Sequence, residues 1–467
     1  MQKLPHKTRK VRPIKDAIQL AKHPLNFLRS IIKETDNAPL VPFMVGPMRS
    51  FLINDPALIR QLLNSYDVFE KTTINYNEGR QMFKNGIVFS NSDEWRHNRK
   101  ALNPAFHKQA IEGYISIFSK RGKALASWWR TQGPTAPTNI YSTFVNTTMD
   151  ITLDVFFAKD FAPEEKEKVA RGIDDMLAWT QKRLLRGGLK LPSFIPTPEN
   201  LAIRKARNGF NEVLTRILND QSHHSESDDK ITMVDLLLKS PSYFGGPMTF
   251  DQIAAEVNSI MLAGTETTAS VLTWMFVELA RQPGLVQRLK AEIHEVIKPG
   301  EVITAEKLRK LPLCRQTVNE TLRLYPPAWM LMRSNAKEAM LGDYTFKKRT
   351  TFYFSAYLQH TNPAIWLSPE KFDPDRFSPE RFTPGQKDHF IPFSLGPRKC
   401  VGEEFAMLEA MTLMAETIPY FKWSLMTDSL PELDFNATIR PKAKNGKYEV
   451  MMLIDQDSSA AVTSSND

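Results

Sequence analysis

The longest apolar pattern in the chain begins after Thr249 and runs through residues 253–262 and 269–279 on more than one side of a helix. Thr249 with Gln252 three residues on is a capping box, and Pro283 with Gly284 marks the stop. Roughly 32 residues, rising about 1.5 Å each, make a rod of about 48 Å that can cross a whole domain. A helix that is apolar all round is a buried one. Yet its midpoint carries the run Ala263, Gly264, Thr265, Glu266, Thr267, Thr268, whose glycine and polar side chains lower helix propensity and must find partners. Such local violations concentrate at functional sites.

Helical spacing also fits residues 403–416, the segment of Glu320 and Arg323 that Pro326 and Pro327 end, and residues 171–185 and 200–220. Residues 43–54, with Gly46 and Pro47 in the middle, read as a hairpin, and residues 344–357 are rich in β-branched and aromatic side chains. Near the end, residues 444–447 signal a turn before the strand-like 448–454, and the Ser/Ala-rich remainder reads as disordered. The fold class is mainly α with a small β-rich region.

The densest chemistry lies at residues 393–402, Phe-Ser-Leu-Gly-Pro-Arg-Lys-Cys-Val-Gly. Gly396 permits a tight turn, and Gly402 lets the backbone approach something flat. The helix that follows Cys400 aims its N-terminus at the sulfur. Backbone N–H groups and a positive helix end favour a thiolate, and a thiolate is one of the ligands that hold haem iron. The pattern of Phe393, Gly396, Arg398, Cys400 and Gly402 resembles the haem-binding loop of cytochromes P450. Four further segments resemble the same family, in its chain order.

The resemblance assigns roles to these residues. Glu266 and Thr267 form an acid–alcohol pair that relays protons for dioxygen cleavage, while Ala263 and Gly264 open a groove for oxygen. Glu320 and Arg323, three apart on one helical face, make a buried pair that a second arginine completes. Arg376, in Phe-Asp-Pro-Asp-Arg-Phe, has the right lead-in. The family commonly has Glu where this chain has Asp375, and Arg381 in the repeated pattern just after remains an alternative. Trp95 and Arg99 share a helical face and, with Arg333 and Arg398, form a set for the two haem propionates, since buried carboxylates need cationic or N–H donors. Tyr76, Met82, Phe83 and Val88, together with Ala328, Trp329 and Met330, are the expected substrate pocket. The linker around Gly187 and Gly188, with apolar Leu189, Leu191, Phe194 and Ile195, is the expected lid.

The implied fold is that of cytochromes P450, with haem b (iron protoporphyrin IX) as cofactor and O2 as co-substrate. The implied activity is a monooxygenase that hydroxylates or epoxidises a lipophile: a fatty acid, terpenoid or polyketide. A haem-thiolate peroxygenase or isomerase, and a non-enzymatic haem sensor, are the rivals. Intact Glu266 and Thr267 disfavour them, because they need no proton relay.

Composition narrows the setting. A chain of 467 residues, 42% hydrophobic, can build a large core, and the matches span most of it, so residues 21–455 read as one catalytic domain. No glycine-rich dinucleotide fingerprint or phosphate loop appears, so electrons are expected from a separate ferredoxin or flavodoxin with its reductase. Two cysteines, Cys314 and Cys400, make no disulfide framework, and Cys314 reads as core. No N-terminal apolar run approaches the roughly 20 residues that span a bilayer. The expectation is a cytoplasmic, bacterial-type protein without a transmembrane anchor. Of the net charge of +9, six charges sit in the first fifteen residues. Residues 1–20 therefore read as a flexible basic segment, with weak peripheral contact to anionic lipid as the sharper reading. Aromatics are not interleaved with the basic run, so nucleic acid is not an expected partner. Arg96, Lys100, Lys108, Lys387 and Lys399 are expected to surround the cysteine side and to steer an acidic electron carrier. Residues 456–467 are the expected disordered tail.

Overall fold

The computed structural model describes residues 9–157, 195–221, 232–436, 438–443 and 448–457, and parts of 164–179. Helix α1 (Pro13–Lys22) begins with proline at its first turn, where a missing N–H costs nothing. Arg9 forks onto the buried Asp16, at 2.8 and 2.9 Å, and its Nε donates to Glu34 at 3.0 Å. The reading of residues 1–20 as a flexible segment is thus corrected from Arg9 onward. A buried carboxylate needs its cation, and Asp16 holds that stretch down.

The predicted hairpin is present as β1 (Leu40–Val45) and β2 (Met48–Ile53), turning at Gly46 with φ of +60°. The sheet adds β3 (Phe69–Glu70), β4 (Met330–Asn335) and β5 (Thr351–Ser355), in the order β1-β2-β5-β4-β3. β2 and β5 are parallel, and the other pairs are antiparallel. The strand expected across residues 344–357 is broken: Tyr344–Phe346 and β5 are strands, and a short helix over Ala356–His360 follows, its start capped by the Ser355 hydroxyl.

The helical body is built from α2 (Ser92–Leu102), α3 (Ile140–Phe157), α4 (Met233–Leu238), α5 (Phe250–Ala280), α6 (Pro312–Leu324) and α7 (Glu403–Thr417). α5 is the long helix the sequence predicts, and both arms of its Thr249–Gln252 capping box form. It runs through the core: Trp274 stacks on Tyr325 of the α6 C-cap, centroids 4.5 Å apart, and the Thr148 hydroxyl of α3 donates to the Thr265 carbonyl at 3.0 Å. α5 is also, among the described residues, the one helix long and apolar enough to cross a membrane, but most of it is buried in the core. Cys314 is fully buried in α6.

The C-terminal part pairs β6 (Phe421–Leu425) with β8 (Met451–Gln456), and β7 (Ile439–Pro441) lies against α5, where the Ser270 hydroxyl donates to the Ile439 carbonyl. Asp457 is buried, ion-paired to Lys290 and, at 3.0 Å, to Lys422. The tail boundary at 456 is therefore corrected, since Asp457 belongs to the packed body. The turn at 444–447, the lid over 187–194 and residues 458–467 lie outside the described residues, as does most of the 171–185 helix.

Candidate active site

One cavity of about 330 Å³ lies between α5 on one side and the Cys400 loop with the start of α7 on the other. The loop's shape follows from Gly396: at φ of +71°, any Cβ there would stand 2.6 Å from the Leu63 carbonyl oxygen, so only glycine lets the loop seat on that backbone. Gly402 lines the cavity, and a Cβ there would meet only Phe106 at 3.8 Å and the Cys400 sulfur at 4.0 Å. The protein leaves that face of the loop bare for a flat partner.

Cys400 is exposed and lines the cavity. Burial pushes its thiol up, against the Gly402 N–H and the Arg99 and Lys399 charges, which pull it down. The N–H of Gly402, at the start of α7, lowers the thiol as the sequence reading expects, while desolvation opposes it as the larger effect. A thiolate here needs a cation placed on the sulfur itself.

Cations crowd the same cavity. Trp95, Arg99, Arg333 and Arg398 all line it, together with Lys71, which no motif singles out. The Arg398 guanidinium lies 4.7 Å above the Trp95 ring; its residue is 7% exposed, and none of its three nitrogens has a hydrogen-bond partner. Burial and the nearby Arg333 push it down to about 10. Lys71 is driven well below its ordinary range by burial, with Arg333 and Arg398 adding repulsion; its ammonium donates to the Val88 carbonyl at 2.7 Å. Orphaned, mutually repelling cations in an apolar shell call for an anionic ligand. A flat group that bears two carboxylates and that Cys400 could hold fits these residues. Replacing Arg398 with Met is expected to weaken retention of such a group at least tenfold while leaving the fold intact, measured as cofactor loss to an apoprotein acceptor. Arg99 is committed elsewhere: it donates to the Lys399 carbonyl at 2.8 Å and to Asn103 at 3.0 Å, and so braces the loop.

Behind the loop stands the Glu320 triad. Arg323 forks onto Glu320 at 2.7 and 2.8 Å, and both are fully buried. Arg376 adds its Nε at 3.3 Å, whereas Arg381 pairs with Asp373 near the surface. The open choice between the two arginines resolves to Arg376. Asp375, the departure from the family pattern, is bound by Arg288 at 2.6 Å and serves a different contact. Burial pushes Glu320 up, and Arg323, the Asp373 N–H and Arg376 offset it. His360 connects this triad to the cysteine loop: its carbonyl accepts from Arg323 at 3.0 Å, and its Nε2 accepts the Ile391 N–H at 2.9 Å. Burial holds the imidazole down to about 3, so it stays neutral and can accept. No motif in the sequence marks this residue.

On α5, Ala263, Gly264, Thr267 and Thr268 line the cavity. The Thr267 hydroxyl donates to the Ala263 carbonyl one turn back. Glu266 is turned away from the cavity: Oε1 accepts from Thr438 at 2.6 Å and Arg440 at 3.2 Å, while Oε2 is buried without a partner. The two neighbours in sequence thus occupy different faces of the helix, about 100° apart. Nothing in sequence marked Thr438 or Arg440, which reach Glu266 from β7 and the residue before it.

Of the expected pocket residues, Tyr76, Val88 and Ala328 line the cavity. Phe83, Trp329 and Met330 do not. Phe83 is 1% exposed and stacks on Phe89 at 5.3 Å, and the Trp329 indole donates to the Asn436 carbonyl inside a second core cluster. Met330 falls on the wrong side of β4: Leu331 and Arg333 face the cavity, and Met330 and Met332 pack into that cluster, as strand alternation requires. The Met82 side chain lies outside the described residues. Ile87, Phe156, Ile260 and Val271 line the cavity and were missed, because each looks like ordinary core in sequence.

The profile of the family described as Cytochrome P450 matches residues 14–450. The chain belongs to the cytochrome P450 family. Members hold a haem iron and use dioxygen, and this P450 is accordingly a monooxygenase. Cyclooctatin synthase of Streptomyces melanosporofaciens is 28% identical over 399 residues, 85% of each chain. Pentalenene oxygenase of Streptomyces avermitilis is 26% identical over 88% of this P450 and 90% of its own length. Leukotriene-B4 omega-hydroxylase 3 of Mus musculus is 29% identical over 81% of this P450 and 76% of its own length.

Proposed function

We propose that this P450 hydroxylates or epoxidises a neutral, terpenoid-sized lipophile, using haem b held by Cys400 and electrons from a separate ferredoxin or flavodoxin. The single observation that carries the substrate reading is where the cavity's cations lie. Among the described lining residues they are Lys71, Arg99, Arg333, Arg398 and Lys399, all on the cysteine loop or in the cation cluster beside it. None is left over to anchor a substrate carboxylate, and the remaining wall of Ile87, Val88, Phe156 and Ile260 is apolar. The names of the bacterial relatives support a terpenoid over a fatty acid.

When bound, the haem supplies oxygen activation and the insertion of one oxygen atom into carbon. The chain's residues supply the rest. Cys400 would give the thiolate, and Arg333, Arg398 and Lys71 would neutralise the propionates. The apolar wall excludes water, and Thr267 holds a hydroxyl at the cavity that can both donate and accept a proton. To refill that hydroxyl, Glu266 would have to leave Arg440 and Thr438, take up a proton from water and turn to the cavity side, so the ion pair would set how often a proton arrives. Cytoplasmic location, expected from the sequence, fits this use of a separate carrier protein.

Titrating the ferric holoprotein with cyclic terpenes and terpene alcohols is expected to give a saturable low-to-high-spin change. A change produced by long-chain fatty acids alone would overturn the neutral-substrate reading. The Thr267→Ala variant is expected to keep substrate binding but to divert most of its electrons to hydrogen peroxide, read as the ratio of product to reductant consumed. Unchanged coupling would remove Thr267 from the relay.

A further inference from the structure

The loop between α4 and α5 carries an unusual cluster of uncovered apolar side chains: Phe244 is 79% exposed, with Tyr243, Leu238 and Phe250 close by in sequence and also exposed. The cluster is not slack. Residues 241–247 form a small hairpin closed by a bridge between Pro241 and Pro247, with Ser242 N–H donating to the Gly246 carbonyl at 2.7 Å and Gln252 holding the Ser242 hydroxyl at 2.8 Å. His97 of α2 ties the hairpin down, with Nε2 donating to the Pro241 carbonyl at 2.7 Å and its ring 6.0 Å from that of Tyr243. A rigid aromatic tip loses little entropy when something covers it.

The hairpin's anchor is the helix that forms part of the cavity wall. Trp95 and Arg99 line the cavity from the inner side of α2, while Arg96 and Lys100 are exposed on the outer side. The helix that His97 joins to the hairpin is thus the one that carries Trp95 and Arg99 into the cavity wall. Lys100 on α2 and Lys239 beside Leu238 are exposed, and neither has an ion-pair partner among the described residues. An aromatic knob flanked by unpaired cations is the anatomy of an interface centre with a charged rim.

We propose that Phe244, at the tip of this hairpin, is the anchor on which a small acidic electron-carrier protein docks, with Lys100 and Lys239 supplying the steering charge. The proposal rests on the monooxygenase reading with a separate electron donor. Each encounter oxidises the carrier by one electron and reduces the bound haem by one, so the carrier must visit and leave twice per turnover. A compact aromatic anchor with a screened charge rim suits such short visits.

The test is stopped-flow reduction of the full-length holoprotein under carbon monoxide, with a plant-type [2Fe–2S] ferredoxin and its reductase as probe. Phe244→Ala is expected to raise the half-saturating ferredoxin concentration about tenfold, with the limiting rate unchanged. Lys100→Glu with Lys239→Glu is expected to raise it further and to flatten its salt dependence. Both variants should match the parent in the dithionite-reduced carbonyl spectrum, which does not use the patch. An unchanged half-saturation in Phe244→Ala overturns the proposal, as does a concentration-dependent dimer in sedimentation that Phe244→Asp abolishes. A parent protein lacking the thiolate carbonyl band with dithionite would instead defeat the reading beneath it.

Discussion

Cys400→Ala is expected to abolish the red-shifted Soret band of the reduced carbonyl complex and all oxygenation, while Cys314→Ala keeps both. The contrast is decisive because the chain has just two cysteines. Cys314 is sealed in α6, where burial and the neighbouring Glu292 push its thiol well up, whereas the Cys400 sulfur faces the cavity under the Gly402 N–H. Removing a small buried sulfur from α6 is a packing change of about 1 kcal/mol. Removing the other takes away the sole thiol that can reach a metal from the cavity wall. Retention of the shifted band in Cys400→Ala, recorded by absorption spectroscopy after dithionite and carbon monoxide, would end the haem-thiolate assignment.

The second large effect is expected at the triad. Glu320→Ala leaves Arg323 and Arg376 facing each other in a dry interior, and breaking a buried pair from one side costs about 3–5 kcal/mol. The loss would not stay local. Arg323 also donates to the carbonyls of His360, Pro369 and Lys371, and His360 in turn holds the first residue of the loop's approach, Ile391. The variant is expected to accumulate as apoprotein, with a lowered urea midpoint and a haem content below a tenth of the parent's. A Glu320→Ala protein that purified with full haem and parental stability would show that the network does not support the loop. Arg381→Ala is the matched control, since its ion pair with Asp373 sits near the surface, where such pairs contribute about 0–1 kcal/mol.

These expectations show which parts of the molecule were legible in the sequence. The cysteine loop, the long helix with its capping box and the Glu320–Arg323 spacing are encoded within a few consecutive residues, and local physics suffices to read them. The choice of Arg376 over Arg381 is not local, because both follow the same short pattern and only the fold decides which one reaches Glu320. Lys71 and His360 carry no motif. Lys71 is set by the charges of Arg333 and Arg398 and His360 by its bond to Ile391, all of them distant in sequence. Glu266 and Thr267 are adjacent in sequence, but a helix turns about 100° per residue, and that rotation sends Glu266 toward Arg440 while Thr267 meets the cavity. The errors at Phe83 and Trp329 share a cause: a large apolar side chain beside a pocket is as readily part of the wall's backing as of its surface.

The alternation along β4 constrains how this enzyme could acquire new substrates. Since Leu331 and Arg333 point to one side and Met330 and Met332 to the other, inserting or deleting a single residue between Pro327 and Arg333 would exchange the two sets. The guanidinium would be swung into an oily layer and a thioether left in its stead. Divergence at this rim can therefore proceed by swapping side chains at Ala328 or Leu331, but hardly by changing loop length there. Ala328, Leu331 and Arg333 line one cavity from one short segment, and a library that varies the first two should hold the spacing to the third fixed.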